Sequence, residues 1–263
     1  MEIDWTQVKK QTLWQYEQLI AKLLDVLQYS FVQECYQHEM AAAGVYANRL
    51  QRGYQQHGRR AEFIDEIKVH LETLYELGIQ DYMDLLQKIA SKDKCVQFLY
   101  ETKFSFDALI QVLNFLFRWV LPFRIPVKEL TDTIPSTEIN HGKILKTKNI
   151  RSNLDVLENF RSKRGRMLFA GETGIIEEYV LNLAHRADIS RLAYVRGKTI
   201  KHLCGGGYDS LDKLANAEIA TITADMELFY QSIGKSLSDF QAVIPLDWMI
   251  GGARVLPRVI KTD

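Results

Sequence analysis

The chain is poor in the residues that mark several common protein classes. It has only three cysteines in 263 residues, Cys35, Cys95 and Cys204, far apart and odd in number. They form no disulfide framework and match no metal or redox spacing, which predicts reduced thiols in a cytoplasmic protein. Five prolines and no alternating runs of Val, Ile and Thr leave little room for strands. Net charge is lacking too. With 33 basic against 33 acidic residues, no global field draws the chain toward DNA or a membrane. The first residues, MEIDWTQVKK, lack the cationic start and apolar core of a signal peptide. The most apolar stretch, FSFDALIQVLNFLFRWVLPF, is broken by Asp107, Gln111, Asn114 and Arg118, and is expected to be a core helix rather than a membrane span.

What is present is helical pattern. Apolar residues make up 47% and charged residues 25%, enough for a sizeable core. Leu13, Tyr16, Leu19, Ile20, Leu23, Leu24 and Leu27 recur at spacings of three and four, a stripe wide enough for a buried helix face. A helix break is expected near Gly44. The run AEFIDEIKVHLETLYELG repeats the pattern and ends at Gly78, a predicted helix stop. Trp5, Trp14, Trp119 and Trp248 fall at apolar helical positions and are expected in the core.

Beyond Gly78 the chain echoes itself. IQDYMDLLQKIASK (79–92) aligns with IRSNLDVLENFRSK (150–163) at an offset of 71, with apolar pairs Met83/Leu154, Leu85/Val156 and Ile89/Phe160. VLNFLFR (112–118) aligns with VLNLAHR (180–186) at an offset of 68, and FRIPVKEL (123–130) with AYVRGKTI (193–200) at 70. A third start, GYDSLDKLA (207–215), resembles the first copy. Co-linear matches of this kind indicate duplicated helical units. The expected organisation is an N-terminal helical region (1–77), a first repeat (78–132) and a polar linker (133–149). A second repeat (150–206) and a divergent third repeat or C-terminal cap (207–263) follow.

Charge is unevenly spread. Residues 142–202 carry 13 Lys/Arg against 6 Asp/Glu, while both flanks are acidic. Within this stretch Gly197-Lys198-Thr199 is not a nucleotide-binding P-loop, because Leu192 stands where that loop needs glycine and a helical segment precedes it. The triple glycine 205–207 is read as a helix stop, with Gly205 left-handed and Asp209 or Ser210 capping the next helix. Cys35 and His38, one turn apart, with Glu34 and Glu39 beside them, are too few for a metal site. His185 and His202 have no partner at a diagnostic spacing, so no catalytic residue, cofactor or metal is assigned.

The segment RLAYVRGKTIKHLCGGGYDSLDKLA resembles the helix-hairpin-helix family and is similar to the modules called domain of unknown function 4332. The resemblance spans roughly 78–216 and is best over 173–216. It implies an all-α fold in which an N-terminal helical bundle precedes tandem helix-hairpin-helix-like repeats. Leu192 and Val195 would peg the hairpin, with Tyr194 and Arg196 at the two turn positions where the family has glycine. Gly197, Lys198 and Thr199 would open the second helix, and Gly205–Gly207 would end it. Side chains at the turn positions would crowd a phosphate approaching the backbone, which shifts the functional case to cations. The expected function is non-enzymatic, sequence-nonspecific binding of DNA or RNA phosphates by Arg186, Arg191, Arg196, Lys198 and Lys201, with Lys163, Arg164 and Arg166 in the preceding loop. The alternative is a protein-interaction scaffold that docks a partner or a second copy, with the apolar segment 243–260 folding back or serving as its surface.

Overall fold

The computed structural model describes residues 3–36, 40, 47, 58–132, 134, 141–238 and 245–261. Its regular structure is helical throughout, as the scarcity of strand formers predicts. An isolated antiparallel bridge pairs Pro126 with Ser152. None of the described helices is long and apolar enough to cross a membrane. The expected break at Gly44 lies outside the described residues, as do position 133 and residues 135–140 of the expected linker. Two compact units result, Met1–Phe123 and Arg124–Asp263.

In the first unit α1 (Thr6–Thr12) and α2 (Tyr16–Leu27) meet at Leu13. The buried face of α2 holds Tyr16, Leu19, Ile20, Leu23, Val26 and Leu27. Leu13 departs from the expected stripe. It ends α1 in the left-handed region (φ 71°) and is 70% exposed, because the chain turns there instead of continuing as one helix. The Tyr16 hydroxyl donates to the carbonyl of Ile89, tying α2 to the end of α5 (Tyr82–Lys88). Between them come α3 (Ser30–Cys35) and α4 (Gly58–Glu76). α6 (Lys92–Thr102) and α7 (Phe106–Phe115) follow α5. The apolar stretch beginning at Phe104 forms α7 and a π-helical turn, Leu116–Val120, closed by the Leu121 amide on the Leu116 carbonyl at 2.8 Å. Only Trp248 of the four tryptophans is buried; Trp5, Trp14 and Trp119 are half-buried and pack at helix margins.

The second unit comprises α8 (Val127–Thr131), α9 (His141–Thr147), α10 (Asn153–Phe160), α11 (Lys163–Thr173) and α12 (Glu177–Ile189). After these come α13 (Gly197–Gly205), α14 (Leu211–Ala215), α15 (Ile219–Ser232) and α16 (Leu246–Val255). Asn153 is fully buried and joins three segments. Its Oδ1 accepts the Ile125 amide at 2.7 Å, and its Nδ2 donates to Ser190 Oγ at 2.9 Å. Both the oxygen and the nitrogen of the buried Asn153 amide are thereby paired, and the end of α12 is fixed just before the turn into α13.

The same local joints recur in both units. Gly78, Asn149 and Gly207 are left-handed, and the next residue in each case donates to the carbonyl five back: Ile79 to Leu74, Ile150 to Leu145, Tyr208 to Leu203. An oxygen-bearing N-cap follows three residues after the left-handed one, Asp81, Ser152 and Ser210. A second joint has a threonine hydroxyl on the carbonyl four back and a left-handed residue after it, at Thr12-Leu13, Thr102-Lys103 and Thr173-Gly174. The caps keep the 71-residue offset from Gly78/Asn149 through Ser105/Ile176, which differs from the offset of 68 read inside the helix. A three-residue slide keeps nearly the same helix face, so an apolar match can lose register by one turn where a cap cannot.

Candidate nucleic-acid interface

The turn before α13 is flanked by buried apolar residues. Leu192 is 3% exposed and Val195 is fully buried, and the Val195 amide closes a turn on the Leu192 carbonyl at 3.2 Å. Between them Tyr194 takes φ 63°, a region that costs an L-residue strain and that glycine enters freely. Its ring rests near Trp248, 5.6 Å between centroids, and the residue remains 41% exposed. Arg196 is the N-cap of α13 and is exposed. Partial burial pushes its guanidinium pKa down, against the pull of Glu129.

The start of α13 is already occupied. The Gly197 amide donates to Glu129 Oε2 at 3.3 Å, and a Cβ on Gly197 would lie 2.8 Å from the Glu129 carbonyl oxygen. Glycine at 197 is therefore required by the close approach of α8. At the start of α8 the Val127 amide donates to the Arg151 carbonyl at 2.8 Å. Both helices thus spend their first amide inside the protein, the place where a phosphate would sit in backbone-mediated recognition.

The predicted cations divide into two groups. Arg191, Arg166 and Arg186 are 5%, 3% and 5% exposed, and the first two tie distant segments together. Arg191 forms a buried ion pair with Asp188 and donates to the Pro257 carbonyl at 2.8 Å. Arg166 reaches the carbonyls of Phe160 and Lys261, with Glu177 at 4.0 Å, and burial depresses its pKa. Both arginines therefore clamp the segment after α16, which folds back with Val259 buried and the Lys261 amide on Arg161. Arg186 donates to the Asn182 carbonyl, one turn earlier on α12. Spacing alone does not separate such structural arginines from surface ones, because burial depends on what the distant C-terminal segment covers.

The second group is accessible. Lys163 and Arg164 are exposed in the first turn of α11, and Lys198 and Lys201 are exposed on α13, with Thr199 half-buried between them. Among the described residues Lys198 and Lys201 form no ion pair. Both line a cleft of about 860 Å³ together with Arg186, Lys235, His202, Cys204 and Asn182; Glu129, Asp132 and Asp209 supply its acidic wall. Lys235 was not among the predicted residues. It stands after the left-handed Gly234, whose turn brings it back beside α13, a contact that local charge counting misses.

His202 also lines this cleft. It is 7% exposed and hydrogen-bonded through Nδ1 to the Tyr230 hydroxyl. Burial lowers its pKa first, and Lys235, Lys198 and Lys201 lower it further.

The triple glycine serves packing. Gly205 is the last residue of α13, and a Cβ there would lie 2.2 Å from the Phe229 ring; at Gly206 it would lie 2.4 Å from Met226 Sδ. The left-handed residue is Gly207 (φ 93°), not Gly205 as expected, and Ser210 caps α14. Cys35 is half-buried, while His38 and Glu39 lie outside the described residues. Among the described residues no cluster of three or more His, Cys, Asp or Glu is placed to hold a metal.

Residues 135–237 match the family model described as Domain of unknown function (DUF4332). The matched span runs from α9 to the end of α15 and holds the hairpin and most of the cleft lining, while residues 78–132 lie outside it. No curated protein and no solved structure matches the chain.

Proposed function

We propose that this chain is a non-enzymatic protein of tandem helix-hairpin-helix-like repeats that binds the phosphate backbone of nucleic acid without reading its sequence. The contact runs through side chains rather than hairpin amides. One observation carries the reading: Lys198, Lys201 and Lys235, from two distant parts of the chain, line one open cleft. A polyanion in such a cleft would meet these ammonium groups while releasing its own counterions. The exposed Arg196 at the α13 N-cap extends the basic surface toward the hairpin.

Binding of labelled DNA at low salt tests the reading. The expected result is measurable affinity that charge reversal at Lys198 and Lys201 weakens for every sequence alike. Absence of binding at low salt would sink it.

A protein-interaction scaffold remains the second reading, and a specific observation favours it. Met167 and Leu168 on α11 are 54% and 57% exposed, and Ile176 is 66% exposed at the following joint. Concentration-dependent self-association by sizing, abolished by Met167→Lys with Leu168→Lys, is its expected signature.

A further inference from the structure

We propose that Tyr194 is a stacking platform for an unpaired base, so that the preferred ligand of this surface is single-stranded rather than duplex nucleic acid. This rests on the nucleic-acid reading above and names its substrate class. Three features of the hairpin support it. First, the turn needs a residue with positive φ, and tyrosine occupies it at φ 63° where glycine would fit without strain. Tyrosine therefore places an aromatic side chain at a turn where glycine would suffice. Second, the residue sits at the surface beside buried apolar neighbours. Leu192 and Val195 are buried on either side, Trp248 backs the ring at 5.6 Å, and 41% of the residue stays in solvent. Third, charge lies in sequence with it: Arg196 and Lys198 follow at alternate positions and both are exposed.

The chemistry then selects the ligand. Bases inside a duplex already have both faces stacked and offer nothing to an exposed ring. An unpaired base gains a new face at the tyrosine while its flanking phosphates meet the cations. The ring discriminates by strandedness and not by base identity, because every base has a π-face.

The test compares wild type, Tyr194→Gly and Tyr194→Phe for binding to a labelled single strand of about 20 nucleotides and to the matching duplex. Glycine suits a positive φ, so Tyr194→Gly keeps its helical spectrum and thermal midpoint, and lost binding then reports lost stacking. The expected result is a loss of roughly 5- to 100-fold for the single strand, with duplex affinity changed by less than about twofold and with Tyr194→Phe retaining the wild-type value. Equal loss for both ligands, or unchanged single-strand affinity in Tyr194→Gly, overturns the proposal while leaving backbone binding standing. A wild-type protein that binds neither ligand overturns it together with the reading beneath it.

Discussion

Glu129 places a carboxylate at the first amide of α13, 3.3 Å from Gly197, and within electrostatic reach of Arg196. A negative charge at a helix start stabilises the helix by about 0.3–1 kcal/mol, and it repels any phosphate approaching the same amide. Glu129→Gln keeps the size of the side chain and removes the charge. Affinity for a polyanion is expected to rise by roughly 2- to 5-fold, the equivalent of that energy, in a low-salt titration. Arg191 makes the opposite case. Its side chain is fully buried against Asp188, so Arg191→Met leaves an uncompensated carboxylate and is expected to cost about 3–5 kcal/mol in urea unfolding. Binding per folded molecule should not change, since the guanidinium faces the protein.

His202 adds a pH dependence with a definite sign. Burial and three lysines hold its folded pKa below the ordinary 6.5, and burial lowers His185 likewise. The unfolded chain therefore binds more protons than the folded one in the window just below 6.5. Stability is complete above that value and falls as pH drops through it toward the folded pKa. Urea midpoints should decline from neutral pH to mildly acidic pH, and His202→Gln should flatten part of that slope. A midpoint that rises on acidification would contradict the placement of His202.

At the level of elements, the glycines separate two kinds of demand. Gly197 exists because α8 crosses close to α13, and Gly197→Ala, with its Cβ 2.8 Å from a carbonyl oxygen, is expected to cost about 1–3 kcal/mol. Gly78 has open space around the site of a Cβ but φ 84°, so Gly78→Ala pays only backbone strain, about 1 kcal/mol. Thermal unfolding of the two variants should rank them in that order. The Gly78 stop was legible in the sequence because an apolar helical run ends there. The Gly197 contact was not, since nothing near residue 197 announces that residue 129 will pass over it. The helical stripe of α2 was legible for the same local reason, and Leu13 fell outside it because a single left-handed residue redirects the chain.

For the molecule as a whole, helix content and the 71-residue echo could be read directly, because capping residues and apolar spacing are local signals. The basic stretch was legible as composition but not as a site. Arg166 and Arg191 turned inward to hold the segment after α16, whereas Lys235 came from beyond the basic stretch to join Lys198 and Lys201. Folding thus removed buried arginines from the surface and assembled a different, smaller cluster. The central claim is that this cluster engages phosphates, and the salt dependence of binding measures it most directly. Wild type and the triple variant Lys198→Ala, Lys201→Ala, Lys235→Ala are titrated with single-stranded DNA across a range of salt. The slope of log K against log salt is expected to be shallower in the variant by about 2, close to 0.7 per lysine removed. Parallel slopes for the two proteins would contradict it.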